Sequence, residues 1–534
     1  MFSKLIHIIP NFRNVKWKLL FLVLLISSLA YTQERKPIDI IRAGSLEANE
    51  KIVSNAQRLI DSVIIGHKNI LMWCDSAYNY NGTNRVDAFG HVHIKQDDTL
   101  HLYANRVYYD GDISFARAWG NVKLINKSTT IYTDTLDYDL AANISYYDDS
   151  GKIVDSTTTI TSIIGRYFIN DDMLYLLKDV VVVNEDFTLN SDTVNYNTET
   201  GKIAIQGPTT IRDSANTLYA ENGWYDSNTG EAELLKNPVI SNESQNIAAK
   251  YIRYSKETKS GKALGSVKIT DFENSSVILG NIAEYNDLLE TAMVTDSAVY
   301  MNYNDGDTLF LHADTLRTIP DTIPEEKIVF GYNKVRFFRT DIQGICDSMV
   351  YFTRDSIVQL HKFPVLWSEI HQLSADLIEM KQFANAPDEL HLSRNSFIIS
   401  KQDTNMYDQI KGKEMVGYII DQKLNNIEVN GNGQTLYYAR EKEQIIGLNR
   451  AESSKISIRF RDGKINSLSF VKAPEGELKP LEGLTEEDKK LKGFEWKIYL
   501  RPLSKYDIFE RAITNEQPEL IKNESESKPN IQEQ

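Results

Sequence analysis

Leu102-Tyr103-Ala104-Asn105-Arg106-Val107-Tyr108-Tyr109 is a phrase that the chain repeats. It returns as Ile131-Tyr132-Thr133-Asp134-Thr135-Leu136-Asp137-Tyr138 and as Leu189-Asn190-Ser191-Asp192-Thr193-Val194-Asn195-Tyr196. With the polar residue taken as an anchor, thirteen copies stand at Gly44, Asp75, Asn105, Asp134, Arg166, Asp192, Glu221, Lys250, Asn281, Asp314, Asp347, Asp376 and Lys413. A period of about 30 residues, held over most of a 534-residue chain, means stacked repeats rather than separate globular domains. Each unit then packs on its neighbours, and the core grows lengthwise.

The columns of the repeat carry its geometry. Three before the anchor stands an aliphatic residue or Met, with Gly344 the exception. One before it stands a small residue, including Ala104, Ser191, Cys74 and Cys346. Two after it is usually apolar, as at Val107, Leu136, Phe168 and Val194, and four after it is Tyr at 109, 138, 196, 225, 254, 285 and 351. Abundant Tyr, Val, Ile and Thr between clusters of turn residues predict an all-β chain. A strand shows one face every second residue, so the interval of three between the small and apolar columns requires a bend or bulge at the anchor. The anchor column mixes Asp, Asn, Glu, Gly, Lys and Arg, which suits a polar residue bonding to bent backbone and not an aligned metal or catalytic ladder. A second phrase, Ala88-Phe89-Gly90-His91-Val92-His93-Ile94 and Ala118-Trp119-Gly120-Asn121-Val122-Lys123-Leu124, puts Gly at a corner of its own. Each unit is therefore read as two bent strands joined by hairpins, crossing two sheets that meet at an angle. An open apolar trough and a closed dry core fit these columns equally well.

The bulk numbers exclude several function classes. A net charge of −15, from 59 basic and 74 acidic residues, argues against a nucleic-acid partner. Residues 1–30 read as a signal peptide cleaved near Ala30, which predicts export to the periplasm, free or associated with the outer membrane. Cys74 and Cys346 occupy the same small-residue column in distant units, too far apart for a disulfide. His91, His93 and His101 alternate with the inward Val92 and Ile94, so they point outward and lack a completing acid or thiol for metal. No phosphate loop, nucleophile elbow or HExxH motif is present, so neither catalysis nor a cofactor is expected. Lys334, Arg336 and Arg339 could face phosphates, but they read first as a solvated strand face. Residues 425–502 read as a β-rich C-terminal capping segment, with 474–493 extended, and 503–534 as a disordered tail.

The two phrases together, small-polar-x-aliphatic-x-Tyr and small-x-Gly-Asn-Val-x-Leu, resemble the repeats of the OstA-like family, which includes lipopolysaccharide transport proteins of the LptA and LptD-periplasmic type. The resemblance covers residues 38–420. It implies an elongated repeat β-jellyroll, open and V-shaped, with the acyl chains of lipopolysaccharide inside and members stacked edge to edge between two membranes. On this resemblance Val107, Tyr109, Val122, Leu124, Leu136, Tyr138, Val194 and Tyr196 line a lipid groove. Expected partners are lipid A acyl chains and other Lpt-type envelope proteins docking at exposed strand edges, or a second copy docking head to tail. The acidity requires the phosphorylated head group to remain outside. The chain departs from the family in its longer array, in the absence of a following membrane barrel, and in the extra segment after residue 425. Two other readings stand beside this one: a spacer or adhesin with a filled core, and a polysaccharide-active β-helix enzyme. The enzyme needs acids clustered on neighbouring turns, and the mixed anchor column speaks against it.

Overall fold

The computed structural model describes residues 36–48, 55–80, 82–303, 306–324, 326–421, 423–441, 444–461 and 464–509. The proposed signal peptide and residues 510–534 lie outside them. The described residues form forty strands and two short 3-10 turns, and all their pairings are antiparallel. They divide into two compact units. The first runs to Glu185 and includes Asp192–Glu199; the second comprises Asp186–Ser191 and the residues from Thr200 onward.

In the first unit, strands Ala56–His67, Ile70–Tyr80, Arg85–Gln96, Leu100–Asp110, Phe115–Asn126 and Thr129–Asp139 follow one another as hairpins. Each pairs with the next along its whole length except at one point. There, Gly120 and Asn121 stand opposite the single residue Asp134, because Trp119 pairs with Thr135 and Val122 with Thr133. Gly90 and His91 oppose Asn105 in the same way, and Asp61 and Ser62 oppose Asp75. Two residues against one is a β-bulge, and it bends the strand. Both bulge residues take left-handed backbone, with φ of 75° at Gly120 and 50° at Asn121. The anchor is thus the residue that faces a bulge, and the strand turns there to keep its apolar side inward on both arms. A Cβ at Gly120 would lie 2.8 Å from the Asn105 amide nitrogen, so the anchor side chain rests on the bulge glycine.

Bulge and anchor side chains also pair. Asp75 bonds His91, Asp347 bonds Lys362 and Glu221 bonds Lys236 and Asn237. The mixed anchor column is therefore matched by its bulge: acidic anchors meet basic or amide residues, and Asn281 meets Asp296.

One anchor is displaced from its expected position. In the fifth copy the corner is Ile163, not Arg166: Ile163 N–H donates to the Lys178 carbonyl, and Lys178 and Asp179 form the left-handed pair. Arg166 lies on the following arm, paired with Tyr146 and Tyr175. Because Ile163 is apolar, a search for a polar anchor passes over it. Moving the anchor makes both adjoining intervals 29 residues (163−134 and 192−163) and puts Tyr167 four after the corner.

The second unit uses the same device, with Gly265 and Ser266 opposite Asn281, and Asp296 and Ser297 opposite Asp314. Gly344 breaks the aliphatic column because a Cβ there would run into the Phe337 ring and Leu366. Beyond residue 420 the bent strands continue: Lys423–Glu441 pairs with Gln444–Arg461, and Gly431 and Asn432 oppose Ser454. Ser454 lies off the period because these strands are 19 and 18 residues long.

The added length supports a strap. From Leu484 the chain runs without strands over the outer face, burying Leu491 among Phe397, Ile399, Leu436, Tyr438 and Leu448. Gln409 donates to the Lys489 carbonyl and accepts from Leu491 N–H. Gln372 repeats this pair of bonds with Glu495 and Lys497. The strap continues past Leu503, where composition alone starts a tail, to a buried Ile508 and to Phe509 against His312. Cys74 and Cys346 are free thiols buried at corners; burial raises their pKa to about 11 and about 12, which keeps them protonated.

Candidate lipid-binding trough

In each unit, sheet I is the arm before the anchor and sheet II the arm after it, and both present their apolar side inward. In the first unit one cross-strand row of sheet I runs Ile65, Met72, Ile94, Leu102, Leu124, Ile131, Ile153, Ile160 and Val182. Every member is at most 2% exposed. The facing row of sheet II runs Val86, Tyr109, Ala116, Tyr138, Ser145, Tyr167 and Leu174, with large and small residues alternating.

The tyrosines of this row, together with Tyr196 of the same repeat column, close the side opposite the corner. Tyr109 bonds His67, Tyr138 donates to Gln96, Asn126 donates to Tyr167, and Tyr196 donates to Asp155. These partners lie 41 or 42 residues apart and occupy the far ends of opposite sheets. His67 Nε2 faces the Lys36 carbonyl, which can only accept, so Nδ1 is the lone-pair nitrogen that receives the Tyr109 hydroxyl. Lys68 to Ser114 and Lys127 to Asp172 span the same gap further out.

The second unit starts closed and then opens. Its sheet I row runs Leu189, Ile211, Leu218, Ile240, Ile247, Ile269, Ile278, Tyr300, Leu311 and Phe337. Exposure climbs from 0% at Leu189 to 7% at Ile247. Ile269, Ile278 and Tyr300 are then half-buried, and Leu311 and Phe337 are buried again. The facing row of sheet II, from Gly261 through Tyr285, Ala292, Thr318, Val329, Tyr351 and Val358 to Met380, is half-buried or exposed throughout. The floor beneath, including Val267, Ala283, Ala298, Ala313 and Val335, stays buried. This is an open trough with an apolar floor. The tyrosine column is not carried through intact: Tyr225 packs on Phe187, and Thr318 and Met380 replace tyrosine while Tyr285 and Tyr351 keep it. Past the opening, His371 and Phe460 meet edge to face and the interior closes again.

The OstA-like protein family matches residues 35–192 and 169–250. The likeness to OstA-like proteins thus covers residues 35–250. No curated protein matches the chain.

The eight residues expected to line a groove all belong to the first unit and all point inward. Val107, Tyr109, Val122, Leu124, Leu136, Tyr138, Val194 and Tyr196 are at most 3% exposed, so they line a closed interior. The open rows of the second unit occupy the same columns, and the repeat phrase alone does not distinguish the two. The interruption of the tyrosine column at Thr318 and Met380 is the one signal the sequence offered.

Cations beside the opening are better placed than the cluster singled out from sequence. Arg253, Lys262 and Arg317 sit on the outer side of the strands that form its rim, around a surface cavity that also includes Tyr285 and Ala292. Lys262 pairs with Glu284. In the other cluster Arg339 is held by Asp341, and Arg336 lies on the outer face between the inward Val335 and Phe337. On the first unit's outer face His93 bonds His101 and stacks between Trp73 and Tyr103. Among the described residues no group of three or more potential metal ligands occurs.

Proposed function

We propose that this chain is an OstA-like periplasmic scaffold of lipopolysaccharide transport, holding acyl chains in its apolar β trough and serving as a bridge in assembly of the outer membrane. The observation that carries the reading is the opening of the second unit between Gly261 and Met380, where inward apolar rows are accessible above a buried floor. It spans eight bent strands, about 38 Å at roughly 4.8 Å per strand. Apolar area gives about 25 cal/mol per Å², so such a site is spread over many residues and needs no single essential contact. Arg253, Lys262 and Arg317 offer phosphates a local positive rim on a chain of net charge −15. Val107, Leu136 and Val194, with the other five residues of their columns, would line the corresponding interior of the first unit.

Strand edges supply the docking surfaces. Asp39–Arg42 and Ser45–Ala48 pair on one side only among the described residues, and they expose Ile40, Ile41 and Leu46. Such an edge accepts a strand from another envelope protein or from a second copy.

A spacer with a filled core is the second reading, favoured by the complete burial of the first unit's rows. A photoreactive residue at Ile278 or Val358, with purified lipopolysaccharide, separates the two. Adducts at these inward positions and not at the outward Lys268 support the lipid scaffold. Adducts at Lys268 alone leave only the spacer.

A further inference from the structure

The first unit is closed by side chains and not by its backbone. Its ladders run along sheet I and along sheet II, and among the described residues no backbone–backbone hydrogen bond crosses from one sheet to the other at the side opposite the corner. What crosses is a repeated side-chain contact: Tyr109 with His67, Tyr138 with Gln96, Tyr167 with Asn126 and Tyr196 with Asp155. The recurrence of the tyrosines every 29 residues, each with its partner 41 or 42 residues away, makes this a ladder of equivalent latches. The hydroxyl is the only part of each tyrosine that the ring's packing does not require, since phenylalanine would fill the same place. The partners are four different residue types, three accepting and Asn126 donating, so what repeats is the bond and not the residue.

We propose that the first unit contains a second, gated acyl-chain site, and that these four tyrosine latches are its gate. This rests on the lipid-scaffold reading above. Breaking the latches, together with the Lys68–Ser114 and Lys127–Asp172 contacts and the Gln96 bonds to the Leu140 carbonyl and Asn143, frees the two sheets to part about the corner with every strand pairing intact. The left-handed bulges supply the bend, and the site exposed is the apolar surface that includes Val107, Leu124 and Leu136. Its ligand is a hydrocarbon chain, because the two rows carry no charged side chain. Tyr109, Tyr138, Tyr167 and Tyr196 are gating residues and make no contact that selects a head group.

The test uses the full chain with a photoreactive residue at Leu136, purified lipopolysaccharide as probe, and Ile278 as the reference position. Replacing all four latch tyrosines by phenylalanine keeps the rings and removes only the hydroxyls. The Leu136 adduct is expected to rise by about tenfold or more, since several hydrogen bonds that hold the closed state are lost, with the Ile278 adduct unchanged. Bridging K68C and S114C with a bifunctional maleimide is expected to abolish the Leu136 adduct alone. The gate is overturned if Ile278 labels while Leu136 stays dark in both the wild type and the phenylalanine variant, or if bridging leaves the Leu136 adduct unchanged. Failure of both positions to label overturns the lipid scaffold itself, and the gate with it.

Discussion

Asn105 shows how little of this repeat depends on the chemistry of its anchor. Its role is to face two left-handed residues, and Asp, Lys, Gly or the apolar Ile163 serve at the same point. The surface pairs between anchor and bulge contribute little, on the order of 0–1 kcal/mol each. The latches are different because their groups are buried, and an unmade buried hydrogen bond costs about 1–3 kcal/mol. His67 gives one of them a pH dependence. Burial holds its pKa below the ordinary 6.5, Lys68 pushes the same way, and the Lys36 carbonyl, Asp112 and Asp39 oppose it. The unfolded imidazole therefore binds a proton at higher pH than the folded one. The stability due to neutral His67 is complete above about 6.5 and is lost as pH falls through its lower folded value. Thermal melts of the full chain should show the melting temperature dropping from neutral to mildly acidic pH, with a shallower drop in His67→Gln. An equal slope in both proteins would remove His67 as a source of the effect.

At the scale of elements, the strap converts an outer sheet face into a second core. Strand residues that would otherwise expose apolar surface, such as Phe397, Ile399 and Leu436, are covered by Leu491 with Leu484, Phe494 and Trp496 at its edge. The paired amide bonds of Gln372 and Gln409 fix the strap's register, because each glutamine bonds a carbonyl and an N–H two residues apart. Leu491→Ala should cost about 2–4 kcal/mol, seen as early unfolding of the C-terminal strands in hydrogen exchange and as proteolytic release of the strap. Unchanged protection of residues 436–448 would show that the strap is not holding that face.

Across the whole chain the net charge of −15 bears on how a phosphorylated amphiphile arrives. Long-range repulsion opposes encounter while apolar area holds the bound chain, so salt should help. The screening length is about 10 Å at 0.1 M and shortens as salt is added. Association of lipopolysaccharide micelles is expected to be faster at high than at low ionic strength, measured by stopped-flow fluorescence. The reverse slope would mean that the cations at Arg253, Lys262 and Arg317 govern encounter as well as local contact.

The eight-residue phrase determined the strand, the corner and the inward columns by itself, because alternation of faces and crowding at a bend are local consequences of a single strand's geometry. The same locality misplaced the anchor at Arg166, where the corner residue lacked the expected polarity. It also ended the array near residue 420, where longer strands lose the period. Whether the trough is open was decided only by the tertiary structure. Closure depends on His67 meeting Tyr109 and Gln96 meeting Tyr138 across two sheets; His67, Gln96, Asn126 and Asp155 keep the repeat spacing but differ in residue type, so nothing in the phrase marks them as partners of the tyrosines. The strap was equally hidden, since Gln372 finds its partner 123 residues away. A chain encodes its periodic contacts once per repeat, but contacts that close or cover a surface depend on which distant residues the completed stack brings together.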